Sequence, residues 1–530
     1  MSLRLREITL TLAEDEALLA AKVGRELSID PAQVQDLRIV RRGIDARRKP
    51  QVLRVYTVEF HVEDEALLLR RHSAHPHLER ATPLSLPTFD SCASPARIVV
   101  AGMGPAGLFA AWRLARSGLT VTLLEQGRPV EERVADVRRF WAGEGLDPAS
   151  NVQFGEGGAG TFSDGKLTTR INHPWIRLIL QTLVDFGAPE EILVQAKPHI
   201  GSDRLRVVLI NFRRALVALG VEIRFHTRLS GLETGCGTIQ GAIANDREAI
   251  PCEHLVLAPG HSARRTYRML HEAGVALESK PFAVGLRVEH PAETINRIQY
   301  GMAGHPRLPA AEYALAWNDP ETGRGVYSFC MCPGGEVINA SSEPGALVVN
   351  GMSGRRRAGA CSNSALVVTV RPDDLPGDDP LAGIRFQRTW EEKAFVAGGG
   401  DWRAPAQGLQ AFLGGRGAAL RSTCRPGVRE ASLETVLPPF VSQGLRRALP
   451  HFERRMRGFT GAEAVLVGVE TRTSAPLRIV RDANGQSLSH PGLFPAGEGA
   501  GYAGGIMSAA LDGLRAAENV VAAVKDRSSR

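Results

Sequence analysis

The sequence predicts an α/β fold in which helices cover a parallel sheet, and three glycine-bearing stretches predict it. The first is Arg97–Gly107, an apolar run ending at Ala101 and followed by Gly102-Met103-Gly104-Pro105-Ala106-Gly107. It reads as a buried strand, a tight turn and a helix start. The second stretch is His254–Ala258, another short apolar strand, which breaks at Pro259-Gly260. The third is Leu493–Ile506, a strand ending at Ala496, then Gly497-Glu498 and Gly504-Gly505 ahead of a long helical run. Strands that end on glycine turns and feed helices are the pattern of nucleotide-binding parallel sheets.

Within the first stretch each glycine has a separate reason. Gly102 permits the turn, Gly104 lets a pyrophosphate approach the backbone, and Gly107 lets the helix pack on the strand. Pro105 suits the first turn of a helix. A second strand, Thr120–Leu124, ends on Glu125 and Gln126. A carboxylate about 20 residues beyond the glycines is placed to accept from ribose hydroxyls.

Ahead of this unit, residues 1–90 form a separate small α+β domain. Leu5–Leu12, Asp36–Val40 and Val52–Val62 read as strands, and Glu14–Leu27 and Glu63–His72 as helices. Between the middle strands lies a basic run, Arg41, Arg42, Arg47, Arg48 and Lys49. It is either a solvated hairpin tip or a contact for an anionic partner such as RNA. Residues 1–90 hold equal numbers of acidic and basic residues, which argues against nucleic acid. A Pro/Ser-rich linker, about Pro76–Pro95, follows.

After Glu125, a polar helix is expected over Glu131–Phe140. Phe154–Leu167 then carries five glycines, too many for a stable helix or strand. Such a segment can fold tightly around a flat or phosphorylated ligand, with Gly158, Gly160, Thr161, Ser163, Asp164 and Lys166 supplying close backbone and polar groups. Helices are expected near Pro174–Phe186 and Leu205–Leu219, and His199 sits among polar neighbours. Residues 280–450 are the least regular. There Phe282–Glu289 and Val326–Cys332 read as strands, the latter closing on Cys330-Met331-Cys332. Alternation along a strand would put both thiols on one face, as small core residues or as a redox pair. No second cysteine pair accompanies them, so no metal is expected. Asn350–Arg357 is a basic turn that could grip an anionic substrate.

Glycine turns at Gly102–Gly107, Gly157–Lys166 and Gly497–Ile506 together suit a long dinucleotide. These residues resemble the two-dinucleotide-binding-domain flavoproteins. Phe154–Leu167, Tyr327–Glu336 and Gly497–Gly505 are similar to the bacterial uncharacterised FAD-dependent dehydrogenase family; Glu498 stands where the usual late motif has Asp. The resemblance covers most of the chain. It implies FAD as cofactor and oxidoreductase chemistry. It also implies an FAD-binding Rossmann-like domain of glutathione-reductase type, with an inserted mixed β-sheet substrate or cap domain beside the small N-terminal one. The expected organisation is 1–90, then 96–265 for the first part of the FAD-binding domain, 266–460 for the cap and 461–530 for its C-terminal part.

FAD would be held by Gly102, Gly104, Pro105, Ala106, Gly107, Glu125, Gln126, Gly158, Gly160, Thr161, Ser163, Asp164, Ala258, Gly260, Gly497, Glu498, Gly504, Gly505 and Ile506. Lys166, Arg287, Cys330 and Cys332 are the candidate catalytic residues, with Tyr300 and Arg472 near the substrate. No second strand–GxGxxG–helix unit is present, since Gly235–Gly241 lacks a following helix and Gly414–Gly417 a preceding strand. NAD(P)H or an electron-carrier protein therefore stands as a partner without its own nucleotide fold, alongside a small-molecule substrate. The alternatives are an RNA-linked flavoprotein and a non-catalytic FAD-binding regulator.

Composition is that of a globular chain, 43% hydrophobic and 23% charged over 530 residues, with a net charge of +7. That charge permits anionic ligands without implying nucleic acid. Seven scattered cysteines argue against a disulfide framework and for the reducing cytoplasm. No signal-peptide core and no apolar run of about 18 residues is found, so no membrane is expected.

Overall fold

The computed structural model describes residues 2–528 apart from 84, 93 and 418. Three layered units follow from the apolar patterns. The N-terminal unit is a four-stranded antiparallel sheet. Its strands run in the order Gln35–Asp45, Leu53–His61, Leu3–Thr11 and Leu78–Arg80, and the helices Leu19–Leu27 and Glu65–Arg71 belong to the same unit. Alternate residues Leu3, Leu5, Tyr56, Val58 and Phe60 point into its core with Val23 and Leu27.

This unit is docked on the remainder of the chain. The Arg42 amide donates to the Val194 carbonyl at 2.7 Å, and the Lys49 ammonium donates to the Ile298 carbonyl at 2.5 Å. Arg42 and Arg47 also pair with Glu16 and Asp45. Most of the basic tip is therefore held by internal partners.

The central sheet is parallel and five-stranded, in the order Leu493–Pro495, His254–Leu257, Arg97–Ala101, Thr120–Leu124 and Glu222–Arg224. Its strands are near-continuous apolar runs because both faces are covered. On one face the helix Ile506–Ser528 lies close against Pro105–Arg116. A Cβ on Gly513 would come within 2.0 Å of the Ala106 carbonyl oxygen, so only glycine permits that approach. Gly235–Gly241 is part of an antiparallel hairpin, Leu229–Gly235 with Thr238–Ala244, and not a second nucleotide unit.

The third unit is a seven-stranded mixed sheet: Ala316–Asn318, Gly325–Cys332, Cys361–Val370, Phe282–Pro291, Val465–Glu470, Ala404–Gly408 and Val428–Glu430. Phe282–Pro291 lies at its centre, buried on both faces except at Pro291. The sheet includes Val465–Glu470, so the chain returns to the parallel sheet beyond residue 470 rather than near 461. The reason is pairing. Val465 to Val467 hydrogen-bond between Glu289–Arg287 on one side and Gly408–Ala406 on the other.

Candidate functional site

The parallel sheet and the seven-stranded sheet meet at one large cavity. Its wall includes Gly102–Ala106, Glu125, Gln126, Gly158–Gly160, Ser163–Lys166, Ala258–Ser262, Glu498 and Gly504–Ile506. The seven-stranded sheet supplies Phe329, Cys330 and Glu470, the segment just after its Val465–Glu470 strand adds Arg472 and Thr473, and a small two-stranded sheet adds Asn350. The three glycine turns read from the sequence thus converge on one space.

The turn at Gly102 is fixed by geometry. Gly102 has φ +104°, and a Cβ there would lie 2.1 Å from the Ala258 carbonyl oxygen. Gly104 ends the turn with φ −78° as the cap of helix Pro105–Arg116, which receives no side-chain capping bond. Its missing Cβ would meet only the Gly158 Cα, at 3.9 Å. Gly104 is therefore not required by packing; it leaves open space in front of a helix N-terminus whose amides and dipole favour an anion.

Glu125 sits at the expected strand end but is already engaged. Its carboxylate accepts from the Met103 amide at 3.0 Å, Gly127 at 2.9 Å and Gly155 at 3.0 Å. It therefore ties the first glycine turn to the second while still facing the cavity.

The Phe154–Leu167 segment is packed, with Phe162 and Leu167 each 2% exposed. The organiser is Arg133, fully buried in the helix Val130–Trp141. It donates to the carbonyls of Asn151 (2.8 Å), Val152 (2.9 Å), Gly155 (3.2 Å) and Glu156 (2.7 Å). Burial holds its guanidinium down at about 10. Sequence reading missed Arg133 because nothing local marks a helix arginine as a loop anchor. Tyr267 was missed for the same reason. Its hydroxyl lies 2.8 Å from the Gly499 carbonyl oxygen and 3.0 Å from that of Gly260, clamping two glycine turns together.

Several expected contacts need correction. Gly107 does not face the cavity: its Cβ would lie 1.8 Å from the Gly102 carbonyl oxygen, so it serves packing alone. Gly497 likewise packs on the helix, where a Cβ of its own would lie 2.7 Å from the Ala106 Cβ. Thr161 turns inward, donating to the Glu156 carbonyl and accepting from Arg133, both at 3.1 Å. Asp164 lines the cavity, but Arg357 engages both its oxygens, at 2.9 and 2.5 Å, and Ser353 donates to it too. Glu498 accepts from the Gly505 amide at 3.1 Å, at the start of the C-terminal helix. Tyr300 is buried away from the cavity, and His199 bonds the Arg355 carbonyl at 3.0 Å instead of facing it. Arg472 reaches the wall, held by Glu391, which also binds Arg264.

Arg287 is the centre of the polar cluster behind the wall and does not line the cavity itself. It is fully buried. Its Nε donates to Asn363 at 2.7 Å, and Nη1 pairs with Glu470 at 3.0 Å. Nη2 donates to the Cys330 carbonyl at 2.5 Å and lies 3.3 Å from the Cys332 Sγ. Burial pushes Glu470 up to about 7 against the pull of Arg287. Cys330 is half-buried and on the wall, whereas Cys332 is buried behind it. The Lys166 ammonium donates to the Met331 carbonyl between them.

The cavity has the features an FAD site needs. Gly104, Gly260, Gly504 and Gly505 leave room where a side chain would intrude. Two helix N-termini open on it, suiting a pyrophosphate. His261 Nε2 is buried without a partner among the described residues, and its ring lines the space. An orphaned buried nitrogen fits a ligand that carries both hydrogen-bond donors and acceptors. The residues present fit FAD.

Residues 281–473 match the sequence family described as "FAD-dependent protein, C-terminal domain-like", and residues 2–61 match a domain of unknown function. An uncharacterised protein of Clostridium beijerinckii is 42% identical over 527 residues, covering 98% of this chain and 99% of that one. Among solved structures, a mutant of halogenase PltM in complex with FAD is similar at TM-score 0.39 and 11% identity, over 82% of this chain and 71% of that one. Glycine oxidase from Bacillus cereus is similar at TM-score 0.35 and 10% identity, over 80% and 97%.

Proposed function

We propose that this chain, which belongs to one family with the uncharacterised Clostridium beijerinckii protein and carries the FAD-dependent C-terminal domain over residues 281–473, is an FAD-dependent oxidoreductase, a dehydrogenase or reductase of a small molecule. The observation that carries this reading is the meeting of an anion-ready glycine cradle with a buried cluster of thiol, carboxyl and cationic groups in one cavity. The parallel sheet would act as a glutathione-reductase-type FAD domain and the seven-stranded sheet as the cap that bounds the substrate. Seven thiols, all unbridged, suit work in the reducing cytoplasm.

When bound, FAD supplies two-electron transfer. The protein supplies position and charge. Gly102–Ala106 and Gly158 would receive the pyrophosphate, and Glu125 keeps their turns in register. Lys166 would hold a positive charge at the redox end, where it opposes charge that develops on reduction. Glu470 faces the cavity with an affinity for protons near neutrality, so its carboxyl can hold or release a proton during turnover. Arg287 holds Glu470 in place.

The test is direct. Purified protein should be yellow, release FAD on heat denaturation at about one per chain, and bleach anaerobically with NADH, NADPH or a metabolite from a screen. Protein that stays folded and colourless after incubation with FAD would overturn the reading. Among the described residues no helix is long and apolar enough to cross a membrane.

A further inference from the structure

We infer that Cys330 and Cys332 are a redox-active dithiol that exchanges two electrons with the bound cofactor, making this site one for thiol and disulfide substrates. The inference rests on the FAD reading above and deepens it.

The geometry is local and specific. In a regular strand, residues two apart are separated by about 6.6 Å along the chain. Here the pairing of Gly325–Cys332 with Cys361–Val370 shifts register between Phe329 and Cys332. Cys330 sits in that bulge with φ +44°, a conformation that a side-chain-bearing residue rarely adopts. The bulge folds the two residues together, with the Cys332 thiol donating to the Cys330 carbonyl at 3.5 Å. It also directs Cys330 to the cavity wall while Cys332 stays fully buried.

The electrostatics divide the roles. The Cys332 side chain, with the Arg287 and Lys166 cations, lowers Cys330, while Cys332 is raised by its neighbour Cys330 and by burial. Cys330, on the cavity wall, is thus the more readily ionised of the two and the attacking sulfur. Cys332 is the protonated resolving partner, 3.3 Å from the Arg287 guanidinium. Two core cysteines would need neither a bulge at their midpoint nor a buried guanidinium beside them.

The step balances within the protein and its cofactor. One S–S bond forms between Cys330 and Cys332 as both sulfurs give up their protons. The two protons and two electrons pass to FAD. In reverse, the reduced cofactor reopens the disulfide. An external dithiol reloads the pair by exchange, its own sulfurs ending as a disulfide and the two protons returning to Cys330 and Cys332.

Reductive titration of the FAD-loaded protein with dithionite tests this without turnover. Wild type should take up four electrons per FAD, whereas Cys330→Ser and Cys332→Ser should take up two. The tryptic peptide holding both cysteines should be lighter by two hydrogens after air oxidation and resist alkylation, and both thiols should alkylate after reduction. Anaerobic dithiothreitol should reduce the wild-type flavin at least about tenfold faster than either variant's. Uptake of only two electrons by wild type, with both thiols alkylatable after oxidation, overturns the dithiol proposal and leaves the flavin reading standing. Protein that binds no FAD overturns that reading instead. The wild-type measurements need no variant, so misfolding of a serine variant does not blunt the test.

Discussion

Gly104→Asp separates cofactor binding from folding, because the two respond in opposite directions. The backbone at Gly104 has an ordinary φ of −78° and caps a helix that no side chain caps. The added side chain starts in open space, 3.9 Å from its one near neighbour. Aspartate is a better N-cap than glycine by a few tenths of a kcal/mol, so the apoprotein should melt no lower than wild type. The pyrophosphate meets the reverse effect. Two like charges about 4–6 Å apart at an effective dielectric near 20 repel by about 3–4 kcal/mol. That is roughly two to three decades in affinity. FAD content after gel filtration, flavin-fluorescence titration of the apoprotein and apoprotein melting measure both sides. A variant that melts normally and still binds FAD within about threefold of wild type would refute the placement of the cofactor on this turn.

Three further outcomes follow from the same geometry. Gly107→Ala should act on folding, since its Cβ would sit 1.8 Å from a carbonyl oxygen; a loss of about 1–3 kcal/mol or more in denaturant unfolding is expected. Glu391→Gln should remove the charge that neutralises buried Arg264 and Arg472, costing about 3–5 kcal/mol and lowering the melting temperature. Glu156 is fully buried with one oxygen unpartnered, and burial pushes it up to about 7 from 4.5. A raised acid binds more protons folded than unfolded, so its contribution to stability is present below about pH 4.5 and is lost as pH rises through about 7. Glu156→Gln should therefore gain about 3 kcal/mol on wild type at pH 8 and little at pH 4.5. Equal pH slopes in the two proteins would contradict this.

What was legible in the sequence is what short-range chemistry encodes. The strand–glycine–helix unit at Arg97–Gly107 needs only its own residues to specify a turn and a helix start. The same holds for the strand end at Ala258 and the turn at Gly504-Gly505. Their convergence on one cavity follows from parallel-sheet topology, which places strand ends on one edge. Sequence reading erred where two neighbours compete for the same residue type. Gly104 and Gly107 stand three apart in one motif, yet one opens a ligand space and the other admits a carbonyl. The motif already gave Gly107 a packing role, and its 1.8 Å approach to the Gly102 carbonyl oxygen removes the cofactor contact also expected of it. Asp164 carries the right chemistry for a ligand contact, but Arg357, nearly 200 residues later, engages it.

The redox end was obscure for a deeper reason. Each of its groups is assembled across the seven-stranded sheet: Arg287 from one strand, Glu470 from the next, and Cys330 and Cys332 from an outer one. The intervening strand adds Asn363. None of these spacings is periodic, and the decisive feature, a bulge at Cys330, leaves no signature in an otherwise regular apolar run. Bulges re-aim side chains and are enriched beside active sites. A strand that only filled the core would gain by pairing through Cys332 without interruption. The interruption instead costs a left-handed residue, and it delivers one sulfur to the cavity and the other to a buried cation. That asymmetry between two chemically identical residues is what distinguishes a working thiol pair from packing.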